Sequence, residues 1–591
     1  MKRCPECGRE YDSSMMFCLD DGAELLYGPA STEPGTVATR LLSDEPQTAI
    51  LHSTAFTGEG PTHARIVTTD QTSMLPSGTG DIVAKPRGFD KRLLLAPLAI
   101  AVIVLGGFLA YRYLGSNVKQ IESIAVMPFV NASGNADIEY LSDGMTETLI
   151  SSLSQLPDLN VKGRASVFRY KGRDLDAKTL GKELGVQAML YGRVIQRGDQ
   201  LTLTLELLDA VTENVIWSGR YDRKQADVVS LQSEIARDVS NKLKTRLSGA
   251  DTAKVEKGYT ADAEAYKLYL QGRFYWNKRT TEDLKKSIEY FEQAIAHDPG
   301  YALAYSGLGA VYQVMSGYTL DPPPGVVYPK ARTVSLKALE LDPTLAEPHA
   351  TLAVALHEYE WKHPEAESEF KRAIELDPNY PSTRQWYGNF LLEMGRFQEG
   401  IAQMERAVEL DPLSPVINAN LGRAYRADHR YDDAIAQYQK ALEIAPNFRI
   451  AQINLNKTYL LKGMFDEMFE QSRKNIAAAG LQGGQAVQAA QALTDLHDAY
   501  RASGANGFWE KVLERESEAT RASKSESDHY DFAGYYLGAG RKEQALDSLE
   551  KALALGPGMT SILSLKVEPT WDPLRDEPRF KEILRKIGLP E

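Results

Sequence analysis

Residues 421–446 read LGRAYRADHRYDDAIAQYQKALEIAP. Leu421, Gly422 and Tyr425 recur at helical spacing, and Ala434, Tyr438 and Ala441 do so again after the polar turn at 428–430. Two short helices with facing apolar stripes follow. The glycine and alanines let them approach closely, and Pro446, which has no amide proton, stops the second. The same punctuation recurs at Asp298-Pro299, Asp342-Pro343, Asp377-Pro378, Asp411-Pro412 and Ala445-Pro446, with proline spacings of 44, 35, 34 and 34. The long first spacing holds an insertion, Gly317 to Gly325, inside the second unit.

A 34-residue period with these small and aromatic positions is the tetratricopeptide pattern, and residues 258–480 are identified as such repeats. The resemblance implies an all-α superhelix whose first helices line a concave groove for proteins or peptides. Registering the repeats at Pro381, Pro415 and Arg449 places Gln385, Asn389, Arg423, Arg426 and Lys457 on that inner face. Cations and carboxamides there suit a peptide carboxylate or an acidic segment. Residues 481–591 read as degenerate hairpins, and the run from Leu565 to Phe580 resembles a capping tail for the last apolar face.

Upstream, Ile124–Phe129 ends an apolar run in proline, and helical spacing follows over Tyr140–Leu156 and Ala177–Leu184. Ala188–Val194, Leu201–Leu207 and Val215–Tyr221 read as strands, the second in strict alternation, and Val228–Leu247 as an amphipathic helix. These make a small α/β unit with a mixed sheet over residues 120–250. Its runs SIAVMPFVNASGNADIEYLSDGMTETLISSLSQLPDLNV and LGVQAMLYGRVIQRGDQLTLTLELLDAVTENVIWSGRYDR resemble the TolB amino-terminal-like domain. That resemblance implies no established reaction. The polar cluster Ser142-Asp143-Gly144 with Glu147 reads as a turn entering a helix.

Leu93–Tyr111 carries no charged side chain over 19 residues. At ~1.5 Å rise per residue it reaches roughly the thickness of a bilayer core, so residues 93–114 read as one transmembrane helix contacting lipid. Lys85, Arg87, Lys91 and Arg92 precede it against Arg112 and Lys119 after it, which keeps the amino terminus cytoplasmic and the rest extracytoplasmic or periplasmic. Gly106 and Ala110 form a small-xxx-small pair on which two spans could pack as a homodimer. The expected location is the bacterial inner membrane.

All three cysteines precede that span. Cys4, Cys7 and Cys18 with Asp21 have the spacing of two metal knuckles, and residues 1–26 resemble a bacterial zinc ribbon with aspartate at the last ligand position. One zinc ion is expected; a ribbon that no longer binds metal is the other reading. Residues 27–90, rich in Thr, Ser, Pro and Gly, read as a disordered tether.

The fold class is therefore multidomain and predominantly α: ribbon, span, α/β unit and superhelix. A net charge of -13 argues against nucleic acid as the main partner. No P-loop, nucleophile elbow or paired-histidine metal motif occurs, and Asp531-Phe-Ala-Gly534 lacks the other parts of a kinase. The expectation is a membrane-anchored adaptor rather than an enzyme. The alternative is a single-pass receptor that couples extracytoplasmic binding to a cytoplasmic partner.

Overall fold

A computed structural model describes residues 2–3, 10–11, 121–135, 138–173, 175–243, 257, 260–318, 322–515, 526–556 and 562–590. The expected metal ligands Cys4, Cys7, Cys18 and Asp21, the expected tether and the expected span lie outside these; near the amino end β1 (Lys2–Arg3) pairs antiparallel with β2 (Glu10–Tyr11). Among the described residues, no helix is long and apolar enough to cross a membrane, and no group of three ligands is placed to hold a metal ion.

The α/β unit runs β3 (Ser123–Val126), β4 (Val130–Asn131), α1 (Glu139–Ser154), β5 (Asn160–Val161), α2 (Arg164–Phe168), α3 (Ala177–Leu184), β6 (Ala188–Arg197), β7 (Gln200–Asp209), β8 (Val215–Lys224) and α4 (Val228–Lys242). Strand order is β5-β3-β6-β7-β8, with β4 also on β6; β3 is parallel to β5 and β6, while β6, β7 and β8 are antiparallel. Alternation in β7 buries Leu201, Leu203, Leu205 and Leu207, each contributing roughly 1.5–3 kcal/mol by leaving water. The β6–β7 turn closes at Gly198, whose φ of 60° is a left-handed conformation that glycine adopts without strain. Asp176 caps α3 by accepting from the Thr179 amide at 2.7 Å, and left-handed Gly185 ends it.

Six helical hairpins follow: α5 (Ala263–Trp276) with α6 (Thr281–His297), α7 (Ala302–Tyr318) with α8 (Pro324–Leu341), α9 (Ala346–Glu358) with α10 (His363–Leu376), α11 (Pro381–Glu393) with α12 (Phe397–Leu410), α13 (Pro415–Ala427) with α14 (Tyr431–Ile444), and α15 (Arg449–Leu461) with α16 (Phe465–Ala478). The small residues act as their spacing requires. A Cβ on Gly422 would lie 2.7 Å from the Tyr438 ring, so only glycine lets α13 and α14 close. Within four successive hairpins the turn is made by one left-handed residue, Trp361, Gly395, His429 and Gly463, at a constant interval of 34.

Beyond the hairpins lie α17 (Gly484–Arg515, broken at Ser503 and Gly504), α18 (Glu526–Gly538) and α19 (Lys542–Ala554). Two 3-10 turns, Ile562–Lys566 and Pro569–Leu574, lead into α20 (Pro578–Lys586). This end has its own core around Trp571, Phe580 and Ile587, and the Trp571 indole donates to the Tyr530 hydroxyl at 2.9 Å. A larger core is continuous from Ile124 and Val126 of the sheet through α1 to Phe390 of α11, so the α/β unit and the first hairpins bury their apolar faces together.

Candidate binding groove

The odd-numbered helices α5 to α15 pack in succession against one another, and α1 of the α/β unit lies against α5. The approach is close: a Cβ on Gly144 would sit 2.8 Å from Leu270 of α5. One turn later Glu147 accepts from Arg273 at 2.6 Å and from Asn277 at 2.5 Å, while Arg273 also donates to Glu347 of α9 at 2.8 Å. Ser306 of α7 completes the set by donating to Glu347 at 2.7 Å. Burial works against the Glu147 carboxylate, but Arg273 and Arg164 outweigh it and hold the group below its ordinary pKa. The cluster Ser142-Asp143-Gly144 is thus a packing face: Gly144 fits Leu270, and Asp143 pairs with Lys171.

The edge formed by the turns from even to odd helices fastens the same unit. Asn379 donates to three carbonyls of the α1–β5 region, Ser154, Leu156 and Leu159, at 3.1, 2.9 and 3.1 Å. Ser154 donates to Asp377 at 2.8 Å. Asp411 accepts from the Ser166 amide at 2.7 Å and from the Ser166 hydroxyl. Carbonyls left open where α12 and α14 end are also filled: Leu410 by the Gly163 amide at 2.8 Å, Glu409 by Lys162 at 2.7 Å, and Ile444 by Arg169 at 2.6 Å. The aspartates of the Asp-Pro signature therefore serve as docking acceptors as well as turn residues. Burial raises the Asp411 carboxyl to about 6 despite its hydrogen bonds from Ser166.

Between α1 and the odd helices remains a cavity of about 670 Å³, walled by Glu147, Tyr269, Gln313, Gln385, Trp386 and Asn389 among others. Gln385 and Asn389, two of the residues expected on the inner face, border this cavity. Arg423 and Arg426 do not stand free in the groove. Arg423 reaches back to α11, donating to Asn389 at 3.2 Å and Glu393 at 2.7 Å. Arg426, 2% exposed, donates to Asn454 at 2.8 Å and to Glu568 of the C-terminal segment at 2.7 Å. A buried guanidinium needs a carboxylate, and each has found one within the chain. Lys457, on α15, is half-buried. The residues that sequence reasoning missed are Arg273, Glu347 and Ser306, whose partners lie on other helices.

Family models of the tetratricopeptide repeat match residues 388–447 and 369–402. The array is a tetratricopeptide superhelix. Residues 119–238, read from sequence as resembling a TolB amino-terminal domain, match instead the model described as HilA/YgeH-like transcriptional regulator, second domain. The chain is similar to a putative adenylate cyclase 3 of Rhizobium meliloti strain 1021, 30% identical over 239 residues, which is 40% of this chain and 40% of that protein. The expectation of a non-enzyme, drawn from missing catalytic motifs, is corrected by that cyclase-named relative. This chain spans 40% of the relative's length. Among solved structures it is similar to a thermophilic tetratricopeptide protein of Thermus thermophilus (20% identity, 33% of this chain and 99% of that one, TM-score 0.29). It is also similar to pilF of Pseudomonas aeruginosa (21%, 40% and 97%, 0.30).

Proposed function

We propose that the chain is a membrane-anchored interaction scaffold that captures a protein or peptide segment between α1 and the inner face of the repeat array. The observation that carries this reading is the cavity of about 670 Å³, because its walls combine aromatic rings with carboxamides. Gln385 and Asn389 can hydrogen-bond a peptide backbone, and Trp386 and Tyr269 offer apolar contact. With Arg423 and Arg426 engaged internally, the fitting ligand is a largely uncharged segment rather than an acidic one. The remaining parts of the proposal rest on sequence: the apolar run 93–111 as anchor in a bacterial inner membrane, the amino end cytoplasmic, and Cys4, Cys7, Cys18 and Asp21 holding one zinc ion. The reading is tested with a photo-crosslinking residue at position 389 of the full chain, compared with one at exposed Val487 on α17. An adduct specific to position 389 is expected; equal labelling at both positions would refute the groove as the capture site.

The comparisons favour a second reading, in which the binding arm regulates a signalling activity. One matched model is that of a transcriptional regulator's second domain and one relative is named as a cyclase, so a shared regulatory module is a direct explanation. Here occupancy of the groove would be passed through the span to a cytoplasmic partner. Ligand-dependent crosslinking of two copies near Gly106 is expected on this reading. Crosslinking that ignores ligand would favour a passive scaffold.

A further inference from the structure

The C-terminal segment meets the middle of the array at two histidines that the groove does not use. His357, in the last turn of α9, and His363, the first residue of α10, are 3% and 4% exposed. Their Nδ1 atoms face each other at 2.9 Å. The outer nitrogens are both occupied: His357 Nε2 lies 2.7 Å from Glu393 of α11, and His363 Nε2 lies 2.9 Å from the carbonyl oxygen of Ile587. Left-handed Trp361 makes the turn between them and packs its ring on the C-terminal core.

Partner chemistry fixes the proton count. The Ile587 carbonyl can only accept, so His363 Nε2 carries hydrogen. The Glu393 carboxylate accepts likewise from His357 Nε2. Only one proton fits between the two Nδ1 atoms, beside Glu393, which Arg423 also contacts at 2.7 Å. A second would set two N–H groups against each other and add buried charge.

We propose that His357 and His363 form a proton-sensitive latch that fastens the C-terminal segment to the array and releases it in acid. Burial holds His363 below the ordinary histidine value of 6.5; the hydrogen bond to the Ile587 carbonyl works against it, and the nearby His357 adds to the lowering. A lowered histidine takes up its proton more readily when undocked, so the latch is intact above about 6.5 and weakens as pH falls below it. The charged and titratable groups facing the pair are Glu393 from α11, Glu358 from α9, Tyr328 from α8, Arg423 from α13 and Glu365 from α10. Glu358 has the opposite sign. Burial raises its carboxyl to about 7, so protonation in acid relieves its cost and tightens the packing. Release on acidification therefore points to His363.

Hydrogen exchange on the full-length protein, corrected for intrinsic rates, tests the latch. Peptides covering residues 578–590 should lose protection several-fold, at most about tenfold, between pH 7.5 and 5.5, while α12 changes little. In His363→Gln the side-chain amide still donates to Ile587 and accepts from His357 but does not titrate, and the acid-induced loss of protection should disappear. Glu393→Gln removes the counter-charge and should raise the release midpoint by roughly one pH unit. Unchanged protection in the wild type across this range, acid release retained in His363→Gln, or an unmoved midpoint in Glu393→Gln would each overturn the proposal.

Discussion

Along the turns from even to odd helices, the α/β unit meets Asp377, Asn379 and Asp411 and closes the open ends of α12 and α14 by hydrogen bonds to backbone. Along the opposite edge, formed by the turns within hairpins, the C-terminal segment meets Arg426, His363 and the surface beside Gly395, where contact is made by ion pairing and by a histidine hydrogen bond to the Ile587 carbonyl. The first edge uses residues that each repeat already needs for its own turn. The second uses residues particular to single repeats. A periodic scaffold can thus bind one appendage through its repeated features and another only through its exceptions.

The largest effect is expected at the point where the α/β unit enters the groove. Arg273→Ala would leave Glu347 buried without its cation and Glu147 with Arg164 alone, at a cost of about 3–5 kcal/mol. Urea unfolding followed by circular dichroism checks this. A loss below about 1 kcal/mol would mean that the carboxylates find water and that the groove contact is dispensable. On the opposite edge, Arg426→Ala should cost about 3 kcal/mol by stranding Glu568, whereas Arg426→Met with Glu568→Met should be close to neutral. If the double variant is as unstable as the single one, packing rather than charge holds the C-terminal segment.

The two edges also differ in how far sequence exposed them. The proline ladder, the small residues at 422, 434 and 441, and the alternating leucines of β7 are local patterns with a direct backbone consequence, and hairpins and strand follow them. Arg423 and Arg426 have the register of groove cations, and register is all that a repeat conveys. Their carboxylates lie 30 residues back and 142 ahead, on elements whose approach no local spacing encodes. The same holds for Arg273 and Glu147, 126 residues apart. Gln385 and Asn389 line the cavity, and Asn389 also accepts from Arg423, 34 residues ahead.

Acid should separate the edges further. The Asp411 carboxyl, raised by burial to about 6 from an ordinary 3.8, binds its proton more tightly in the docked state. Its contribution is full below about 3.8 and is lost as pH rises through 6, on the order of 3 kcal/mol. The Asp411 contribution to docking of the α/β unit should therefore be larger at pH 4 than at pH 7, opposite in sign to the His363 contact and to Glu147, whose lowered carboxyl loses its contribution in acid. Asp411→Asn should remove this dependence, measured as urea stability of the α/β unit against pH. If the slope persists in the variant, another carboxyl is responsible.

The smallest effect isolates the backbone of the second edge from its side chains. Gly463 and His429 occupy the same turn position, one repeat apart, at φ of 73° and 59°. A Cβ on Gly463 meets nothing within 4 Å, so Gly463→Ala would be resisted by conformation alone and should cost about 1 kcal/mol. His429→Gly runs the other way. It relieves a similar strain but adds about 0.5–1 kcal/mol of unfolded-state entropy and removes the 3.0 Å contact with the Tyr431 hydroxyl. The net change should lie within about 0.5 kcal/mol of zero, read from the midpoint of thermal unfolding. A loss above about 1 kcal/mol would show that the exposed approach of His429 to Asp572, at 3.7 Å, carries more of the C-terminal attachment than its solvent screening allows.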